Sequence, residues 1–307
     1  MSYHIFPSFQ PATGTKLALF DLDGTLVLSK TGRRWAADAD DWVFAGEVPA
    51  VLKGYHADGY VVALVSNQSE WQLGDTARAK FQSILDALTA ANGWAPWCLV
   101  ATAKTKERDV VYRKPARGLY DLLLTKLAFT PTAVEMCGDA VGADDPFPPF
   151  RWSNSDYGFA AAIGAVFKRP IDVFGTRTPT AAAKQELIIL VGNPGSNKSS
   201  TARLFAAAGY EHLEQDIVGT KAAVAKAARI ALAEKKSVVV DATHGSQVNR
   251  EPLIKIAENA KVPYRILWHI RDGRAFNALR EKPVPEVAYA VYSKHFVAPV
   301  EHVEIVY

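Results

Sequence analysis

Hydrophobic positions along the chain follow two alternating patterns. Short apolar runs bounded by turn residues predict buried β-strands, and longer segments with apolar residues three or four positions apart predict amphipathic helices. In residues 75–91, Phe81, Leu85 and Leu88 share one helical face, and Asp75 is the expected N-cap. Buried strands that alternate with helices build a parallel sheet covered on both faces, so an α/β fold is expected. In the first half the predicted strands are 17–21, 61–67, 99–101, 134–139 and 165–167, and the predicted helices are 75–91 and 116–128.

The alternation is interrupted at residues 169–184 and then resumes. This segment contains Pro170, Gly175 and Pro179 and is typical of a linker. We therefore predict two α/β domains, 1–178 and 179–307, which a chain of 307 residues can accommodate. In the second half the predicted strands are 187–192, 238–243 and 264–270, and the predicted helices are 198–208, 221–235, 247–260 and 272–281.

The composition is that of a folded, intracellular protein. Hydrophobic residues make up 49% and charged residues 22% of the chain, so both halves can bury a core. No apolar run is long enough to span a membrane, and the first residues do not resemble a signal peptide. Cys98 and Cys137 are expected to be buried free thiols, and the seven histidines lack the spacing of a zinc site. A net charge of +3 is too small to indicate a nucleic-acid partner, which must be inferred from the sites.

The first predicted strand ends in two aspartates. Its apolar residues lead directly into Asp21 and Asp23, and Gly24 follows. Side chains at the carboxyl edge of a parallel sheet form the ligand site of open α/β folds. One carboxylate can attack a phosphorus atom while the other gives a proton to the leaving oxygen, and a cation is needed to bring a carboxylate close to an anionic phosphate. The alternative is an ordinary turn, since Asp and Gly are common turn residues.

Polar residues also follow the other predicted strands of this half. The hydroxyl of Ser66 could bind a phosphate oxygen, and the charge of Lys114 would offset that of a phosphoryl group. Asp139 follows the strand that begins at residue 134 and is a source of oxygen ligands for Mg²⁺. A second ligand beside Asp139 is left open among Asp144, Asp145 and Asp156. The predicted magnesium ligands of this half are Asp21, Asp23, Asp139 and Asp144.

A phosphate-binding loop is predicted at the start of the second half. Residues 192–199 have the spacing GxxxxGK[ST] between a strand and a helix. Such a loop surrounds phosphates with backbone N–H groups; Lys198 would reach the β- and γ-phosphates of ATP, and Ser199 would bind Mg²⁺. Asn197 replaces the second glycine, and Asn is one of the few residues that tolerate the left-handed conformation. The predicted nucleotide-binding residues are Gly192, Gly195, Ser196, Asn197, Lys198, Ser199 and Asp241.

Three further residues of the second half could support phosphoryl transfer. Asp241 ends a strand beside the loop and suits a Walker-B-like role or a structural cap. Asp216 follows the loop and its helix and is placed to accept the proton of an attacking hydroxyl. Among three arginines near the end of the domain, Arg280 is predicted to contact the transferring phosphoryl group, because it precedes the proline-containing segment 283–285.

The four strand-end features of the first half, in this order, resemble the haloacid-dehalogenase phosphatase superfamily. The whole chain, from about residue 16 to 307, resembles the bifunctional polynucleotide phosphatase/kinase family, in which such a phosphatase precedes a P-loop kinase. Local stretches support the resemblance beyond the generic motifs, although Ser66 replaces the commoner Thr. They are 20–26 (Phe-Asp-Leu-Asp-Gly-Thr-Leu), 41–42 (Asp-Trp), 66–68 (Ser-Asn-Gln), 112–115 (Tyr-Arg-Lys-Pro), 138–140 (Gly-Asp-Ala) and 209–210 (Gly-Tyr) ahead of Asp216.

The resemblance implies a Rossmann-like haloacid-dehalogenase phosphatase fold followed by a P-loop kinase fold. It also implies two reactions at strand breaks, namely removal of a 3′-phosphate and phosphorylation of a 5′-hydroxyl, with Mg²⁺ and ATP as cofactors. The implied residue roles are Asp21 as nucleophile, Asp23 as acid/base, Ser66 and Lys114 as phosphate binders, Asp139 as metal ligand, Asp216 as base and Arg280 as transition-state stabiliser.

The expected partner is the end of a broken DNA strand, with RNA ends left open. Trp35 and Trp71 could stack on the bases of a single strand, or could cover core as most tryptophans do. A monomer without membrane attachment is expected, located in the nucleus if the source is eukaryotic. Two rival interpretations stand beside this one. They are a phosphatase fused to a nucleoside or other small-molecule kinase, and an active phosphatase with a non-catalytic nucleotide- or end-binding second domain, which Asn197 motivates.

Overall fold

The computed structural model describes residues 3–7, 14–33, 35–69, 74–103, 110–142, 153–175, 179–271, 273–274, 277 and 282–306. The chain divides into two compact units. The first consists of Met1–Ser29 and Arg33–Phe174, and the second consists of Lys30–Gly32 and Gly175–Tyr307. Each unit has its own large sheet, so the α/β class is confirmed for both halves. The domain boundary after residue 178 stays a prediction.

The first unit is built on a six-stranded sheet. Its elements are β1 (Tyr3–Phe6), β2 (Lys16–Phe20), β3 (Val27–Ser29), β4 (Trp42–Phe44), α1 (Val48–Ala57), β5 (Tyr60–Asn67), α2 (Asp75–Asn92), β6 (Trp97–Ala101), α3 (Gly118–Leu124), β7 (Ala133–Cys137), α4 (Ser155–Ile163), β8 (Val166–Lys168) and α5 (Pro170–Phe174). The strand order is β1-β6-β5-β2-β7-β8; β1 is antiparallel to its neighbour and the other pairs are parallel. β3 and β4 form a separate antiparallel pair.

The centre of this sheet positions the candidate site. β2 is apolar and buried because it pairs with β5 on one side and β7 on the other. Phe20 lies opposite Leu64 of β5 and Cys137 of β7, so the carboxyl ends of the three strands meet at one edge. Leu17, Leu19 and other buried side chains fill the core beneath that edge. Both cysteines are buried and free, as predicted.

One helix cap and the extent of one helix in this unit were predicted wrongly. Gly74, with φ +80°, is the N-cap of α2, and Asp75 is the first helical residue. The helix expected at 116–128 is only Gly118–Leu124. A turn in which the Ala116 N–H donates to Arg113 O at 2.9 Å delays its start. At the other end, the Lys126 N–H donates to Leu123 O, three residues earlier, at 2.8 Å. This tighter bond is typical of the turn that ends an α-helix.

The segment predicted as a linker begins with structure. Residues 170–174 form the short helix α5, in which Pro170 takes the first position that proline favours. The Arg169 N–H donates to Asp172 Oδ2 at 3.0 Å, which satisfies a free backbone group at the helix start. The Phe174 ring packs against that of Phe20, with centroids 6.1 Å apart. The first part of the predicted linker therefore belongs to the first unit.

The second unit is a parallel five-stranded sheet. Its elements are β9 (Leu187–Val191), α6 (Lys198–Ala207), β10 (Glu211–Glu214), α7 (Gln215–Val218), α8 (Lys221–Ala233), β11 (Val238–Asp241), α9 (Gln247–Ala260), β12 (Tyr264–His269), α10 (Glu286–His295) and β13 (Val303–Val306). The strand order is β10-β11-β9-β12-β13. The three predicted strands and three of the predicted helices are present, whereas the predicted helix 272–281 lies largely outside the described residues. None of the helices in the described ranges is both long and apolar enough to cross a membrane.

Candidate active sites

Asp21 follows β2 directly, and its carboxylate lies against a buried lysine. Lys114 Nζ is 2.7 Å from Asp21 Oδ1 and also 2.7 Å from Asp156 Oδ1. Asn67, at the end of β5, holds the lysine backbone in place: its side-chain amide donates to Lys114 O at 3.0 Å and accepts from Lys114 N at 2.9 Å. Lys114 is thus fixed between two carboxylates at the carboxyl edge of the sheet.

Two side chains hold Asp23. Gln68 Nε2 donates to Asp23 Oδ2 and also lies 3.1 Å from Ser66 Oγ, so the amide links the second aspartate to the predicted phosphate-binding hydroxyl. Lys80 Nζ, from α2, is 3.3 Å from Asp23 Oδ1 and donates to Ala36 O at 3.1 Å. Because Lys80 is only 4% exposed, its ammonium group binds these oxygens in place of water.

Asp21, Asp139 and Asp156 form a cluster of acidic side chains. One oxygen atom from each lies within 4.8 Å of the other two. Asp156 Oδ2 accepts from Ala140 N at 3.0 Å, and a Cβ at Gly138 would overlap the Asp156 carboxylate, so only glycine permits this approach. Oxygen ligands at this spacing fit Mg²⁺. Of the three aspartates left open by the sequence, Asp156 therefore joins Asp139, while Asp144 and Asp145 lie outside the described residues.

The electrostatics of this cluster favour a cation. Burial raises the pKa of Asp21 to about 7, with the charges of Asp156 and Asp23 adding to the effect and Lys114 opposing it. Burial, together with Asp21 and Asp156, raises the pKa of Asp139 well above its usual range. For Lys114, burial lowers the pKa, but Asp156 and Asp21 outweigh burial and the pKa is raised overall. The single ammonium group of Lys114 therefore does not balance the negative charge of these carboxylates. A divalent cation would allow them to ionise together.

These residues line a cavity of about 600 Å³ at the edge of the sheet. Trp35 lies on its wall and is 41% exposed. Arg113 lies on the wall as well, where its guanidinium donates to Ser69 Oγ at 3.0 Å and to Ala103 O at 3.2 Å. The cavity therefore combines the predicted phosphate-binding groups with an exposed aromatic ring. Trp71, the other tryptophan expected near this site, lies outside the described residues.

In the second unit, residues 192–199 fold as a phosphate-binding loop between β9 and α6. Gly195 has φ +81°, and Asn197 has φ +73° and ψ +18°, so Asn197 adopts the left-handed conformation that glycine usually supplies. Lys198, the first residue of α6, donates from Nζ to Asn193 O at 2.7 Å, across the loop. Asn193 Oδ1 in turn accepts from Gly273 N at 3.0 Å. The departure from the glycine pattern at Asn197 therefore preserves the shape of the loop.

The two predicted carboxylates of this unit lie at the same sheet edge as the loop. In the parallel register, Val240 of β11 lies opposite Ile189 of β9, and Asp241 lies opposite Glu214 of β10. Asp241 is buried at the end of β11, and Asp216 is exposed in α7, immediately after β10. Ser199 is the second residue of α6, next to the loop lysine. Arg280 lies outside the described residues, and its predicted part in the reaction stays a prediction.

Comparison with known proteins bears on the whole chain. A family model described as polynucleotide kinase 3 phosphatase matches residues 16–174, and one described as AAA domain matches residues 187–276. A bifunctional polynucleotide phosphatase/kinase of Schizosaccharomyces pombe is 30% identical, and the match covers 92% of this chain and 76% of that protein. The chain belongs to the bifunctional polynucleotide phosphatase/kinase family. A protein of Acanthamoeba polyphaga mimivirus, provisionally given the same name, is 24% identical over 92% of this chain and 81% of its own length.

Two solved structures are similar to parts of the chain. The D,D-heptose 1,7-bisphosphate phosphatase of B. bronchiseptica is 20% identical with a TM-score of 0.40, covering 50% of this chain and 78% of its own. Kti12 of Chaetomium thermophilum is 18% identical with a TM-score of 0.34, covering 39% of this chain and 88% of its own.

Lys80 contacts a predicted catalytic group, Asp23, and was not predicted as a site residue. Lys80 occurs on the apolar face of α2, beside Phe81 and one turn from Ala77 and Ile84, all of which are buried. A lysine on a buried helix face is the signal that could have indicated it, because burying a charge is costly unless a partner is present. The partner, Asp23, is 57 residues away in the chain and could be found only from the fold.

Proposed function

We propose that this chain removes 3′-phosphates from, and adds 5′-phosphates to, the ends of broken DNA strands, using Mg²⁺ and ATP. The proposal rests first on the ammonium of Lys114, which lies 2.7 Å from both Asp21 and Asp156 at the carboxyl edge of the phosphatase sheet. A phosphate-binding loop with the required backbone conformation follows in the same chain. Family membership supports both activities, and DNA as the preferred substrate over RNA is part of the proposal.

In the proposed phosphatase reaction, a carboxylate oxygen of Asp21 attacks the phosphorus atom. The bond from phosphorus to the 3′-oxygen breaks, and Asp23 gives its proton to that oxygen, so the strand leaves with a 3′-hydroxyl. Asp23 then takes a proton from a water molecule, whose oxygen attacks the phosphorus, releases inorganic phosphate and restores Asp21. Lys114 and the Ser66 hydroxyl bind the non-bridging phosphate oxygens.

Mg²⁺ would be held in this site by Asp21, Asp139 and Asp156, where it supplies the positive charge that the carboxylate cluster lacks. The part of Asp23 and Asp144 as further ligands stays a prediction. The raised pKa values of Asp21 and Asp139 support this assignment, because they mark a site in which ionised carboxylates are unstable without additional positive charge.

In the proposed kinase reaction, Asp216 accepts the proton of the 5′-hydroxyl, whose oxygen attacks the γ-phosphorus of ATP. The bond to the oxygen that bridges the β- and γ-phosphorus atoms breaks, and ADP leaves. The backbone N–H groups of residues 192–198, including those of Gly192, Gly195 and Ser196, surround the phosphates, and Lys198 binds the β- and γ-phosphates. Ser199 would hold Mg²⁺, and the Walker-B-like or capping role of Asp241 stays a prediction.

The phosphatase half of the proposal is tested with a DNA oligonucleotide that bears a 3′-phosphate. We expect Asp21→Asn to abolish phosphate release and the exposed control Asp58→Asn to leave it unchanged. RNA and mononucleotide 3′-phosphates serve as competing substrates. Faster release from RNA would overturn the choice of DNA, and release from mononucleotides alone would overturn the polynucleotide substrate.

The kinase half is tested with radiolabelled ATP and a 5′-hydroxyl oligonucleotide. Lys198→Ala should abolish label transfer, whereas Lys226→Ala, a lysine on the exposed face of α8, should retain it. Absence of transfer by the wild-type chain, with ATP still bound, would support a non-catalytic second unit and contradict the proposal.

A further inference from the structure

Three metal-ligating side chains meet on one face of the second sheet. His212 and Glu214 are two residues apart on β10, so their side chains point to the same face. Asp241 of β11 lies opposite Glu214 in the parallel register, which brings it to that face as well. One ligand atom from each of the three lies within 4.8 Å of the other two. His212 and Glu214 have no part in either proposed reaction.

Two buried atoms of this cluster have no hydrogen-bond partner among the described residues. They are Asp241 Oδ2 and His212 Nε2, and the Asp241 side chain is only 4% exposed. The two atoms face each other at 3.6 Å, which is too long for a hydrogen bond between nitrogen and oxygen. Buried polar atoms of native proteins are normally satisfied, so a pair of unsatisfied atoms that face each other indicates a missing partner.

The spacing fits a shared metal ion. Two ligand atoms that each lie about 2.1 Å from a metal, at a tetrahedral angle, are about 3.4 Å apart. The donors are one imidazole nitrogen and two carboxylate oxygens, a set that suits Mn²⁺, Fe²⁺ or Zn²⁺, whereas Mg²⁺ and Ca²⁺ prefer oxygen ligands alone. Glu214 and Asp241 also carry the two negative charges that balance a divalent ion.

We propose that His212, Glu214 and Asp241 bind a divalent transition-metal ion. This ion is separate from the Mg²⁺ that Ser199 would hold with ATP. It lies at the same sheet edge, since β11 is the neighbour of the strand that leads into the phosphate-binding loop. The inference goes beyond the proposed function, because binding of the ion requires neither reaction.

The test uses Mn²⁺ alone, added to the full chain in which Asp139→Asn has weakened the phosphatase metal site. Pulsed electron paramagnetic resonance detects coupling between the Mn²⁺ spin and the nitrogen of a coordinated imidazole, and an all-carboxylate site gives no such coupling. The parent protein should show this nitrogen modulation. His212→Gln should lose it, and His295→Gln, an exposed histidine of the same unit, should retain it.

The proposal is overturned if the parent protein shows no nitrogen modulation, or if the modulation persists in His212→Gln. Should that variant fail to fold, Glu214→Gln provides a second measurement: it should keep the nitrogen modulation but weaken Mn²⁺ binding at least about tenfold, and unchanged affinity would contradict the proposal. Neither outcome depends on kinase activity, so failure of this site and failure of the kinase proposal are distinguishable.

Discussion

The pKa of Asp21 predicts that this residue, the proposed phosphatase nucleophile, destabilises the metal-free protein. Burial raises this pKa from 3.8 to about 7, so the folded chain holds a proton that the unfolded chain has already lost. The contribution of Asp21 to the free energy of unfolding is therefore fully present below pH 3.8, is lost progressively between pH 3.8 and about 7, and stays lost at higher pH. Replacing Asp21 by Asn removes the ionisable group, and this should stabilise the metal-free protein above neutral pH.

The size of the effect follows from the same values. At pH 8 an isolated group with this pKa costs the folded state roughly 4 kcal/mol, and at pH 5 it costs about 2 kcal/mol. The advantage of Asp21→Asn over the wild type should therefore grow by about 2–3 kcal/mol between pH 5 and pH 8. For a domain of this size, each kcal/mol shifts the melting temperature by about 2–4 °C, so the difference in melting temperature should grow by roughly 5–10 °C.

The assay is differential scanning calorimetry in the presence of a chelator, at pH 5 and pH 8, following the transition of the first unit. Asp58→Asn is the matched control, because it removes an exposed carboxylate and should shift neither transition. The reasoning is refuted if Asp21→Asn gives the same melting temperature difference at both pH values. It is also refuted if the variant is less stable than the wild type at pH 8.

Three further predictions concern the metal, Asp23 and the phosphate-binding loop. Adding Mg²⁺ at pH 8 should raise the melting temperature of the wild type more than that of Asp21→Asn, because the variant loses a proposed ligand; equal shifts would contradict the assignment. Lys80→Met should lower kcat for 3′-phosphate removal by roughly 10–100-fold and leave KM within about threefold, because Asp23 loses its ammonium partner. The control Lys53→Met, at an exposed lysine, should change neither constant. Asn197→Gly should leave the Kd for ATP within about threefold. Asn197→Val should raise the Kd by roughly 5–30-fold, because a β-branched residue at φ +73° costs about 1–2 kcal/mol. Equal Kd values for the two variants, measured by calorimetry, would show that this conformation is not required.

The placement of the first site could be predicted from the sequence because it follows from the fold class. Parallel strands end at one edge of a sheet, so residues that follow apolar runs, such as Asp21, Ser66 and Asp139, are brought together whatever the details of the loops. The phosphate-binding loop was predictable for a similar reason, since its spacing and its position between a strand and a helix are local. The replacement of the second glycine by Asn197 could also be interpreted from the sequence, because Asn is one of the few residues that tolerate the left-handed conformation.

Contacts that depend on register or on distant packing could not be predicted. Lys80 meets Asp23 because of the way α2 packs, and Asp156 reaches Asp21 and Asp139 only because Gly138 leaves room for it. His212 and Asp241 face each other because two strands pair in one particular register, which histidine spacing along the chain does not reveal. Asp75 was misassigned as a cap because a glycine with φ +80°, Gly74, occupies that position.

The central claim is that one chain prepares both ends of a break, and joining by a ligase tests it most directly. A nicked DNA duplex with a 3′-phosphate and a 5′-hydroxyl is incubated with Mg²⁺, ATP, the protein and a DNA ligase that lacks end-processing activity. The wild type should give sealed duplex, Asp21→Asn and Lys198→Ala should each give none, and a mixture of the two variants should restore sealing, because each supplies the reaction that the other lacks. No sealing by the wild type, or sealing by either variant alone, would contradict the account.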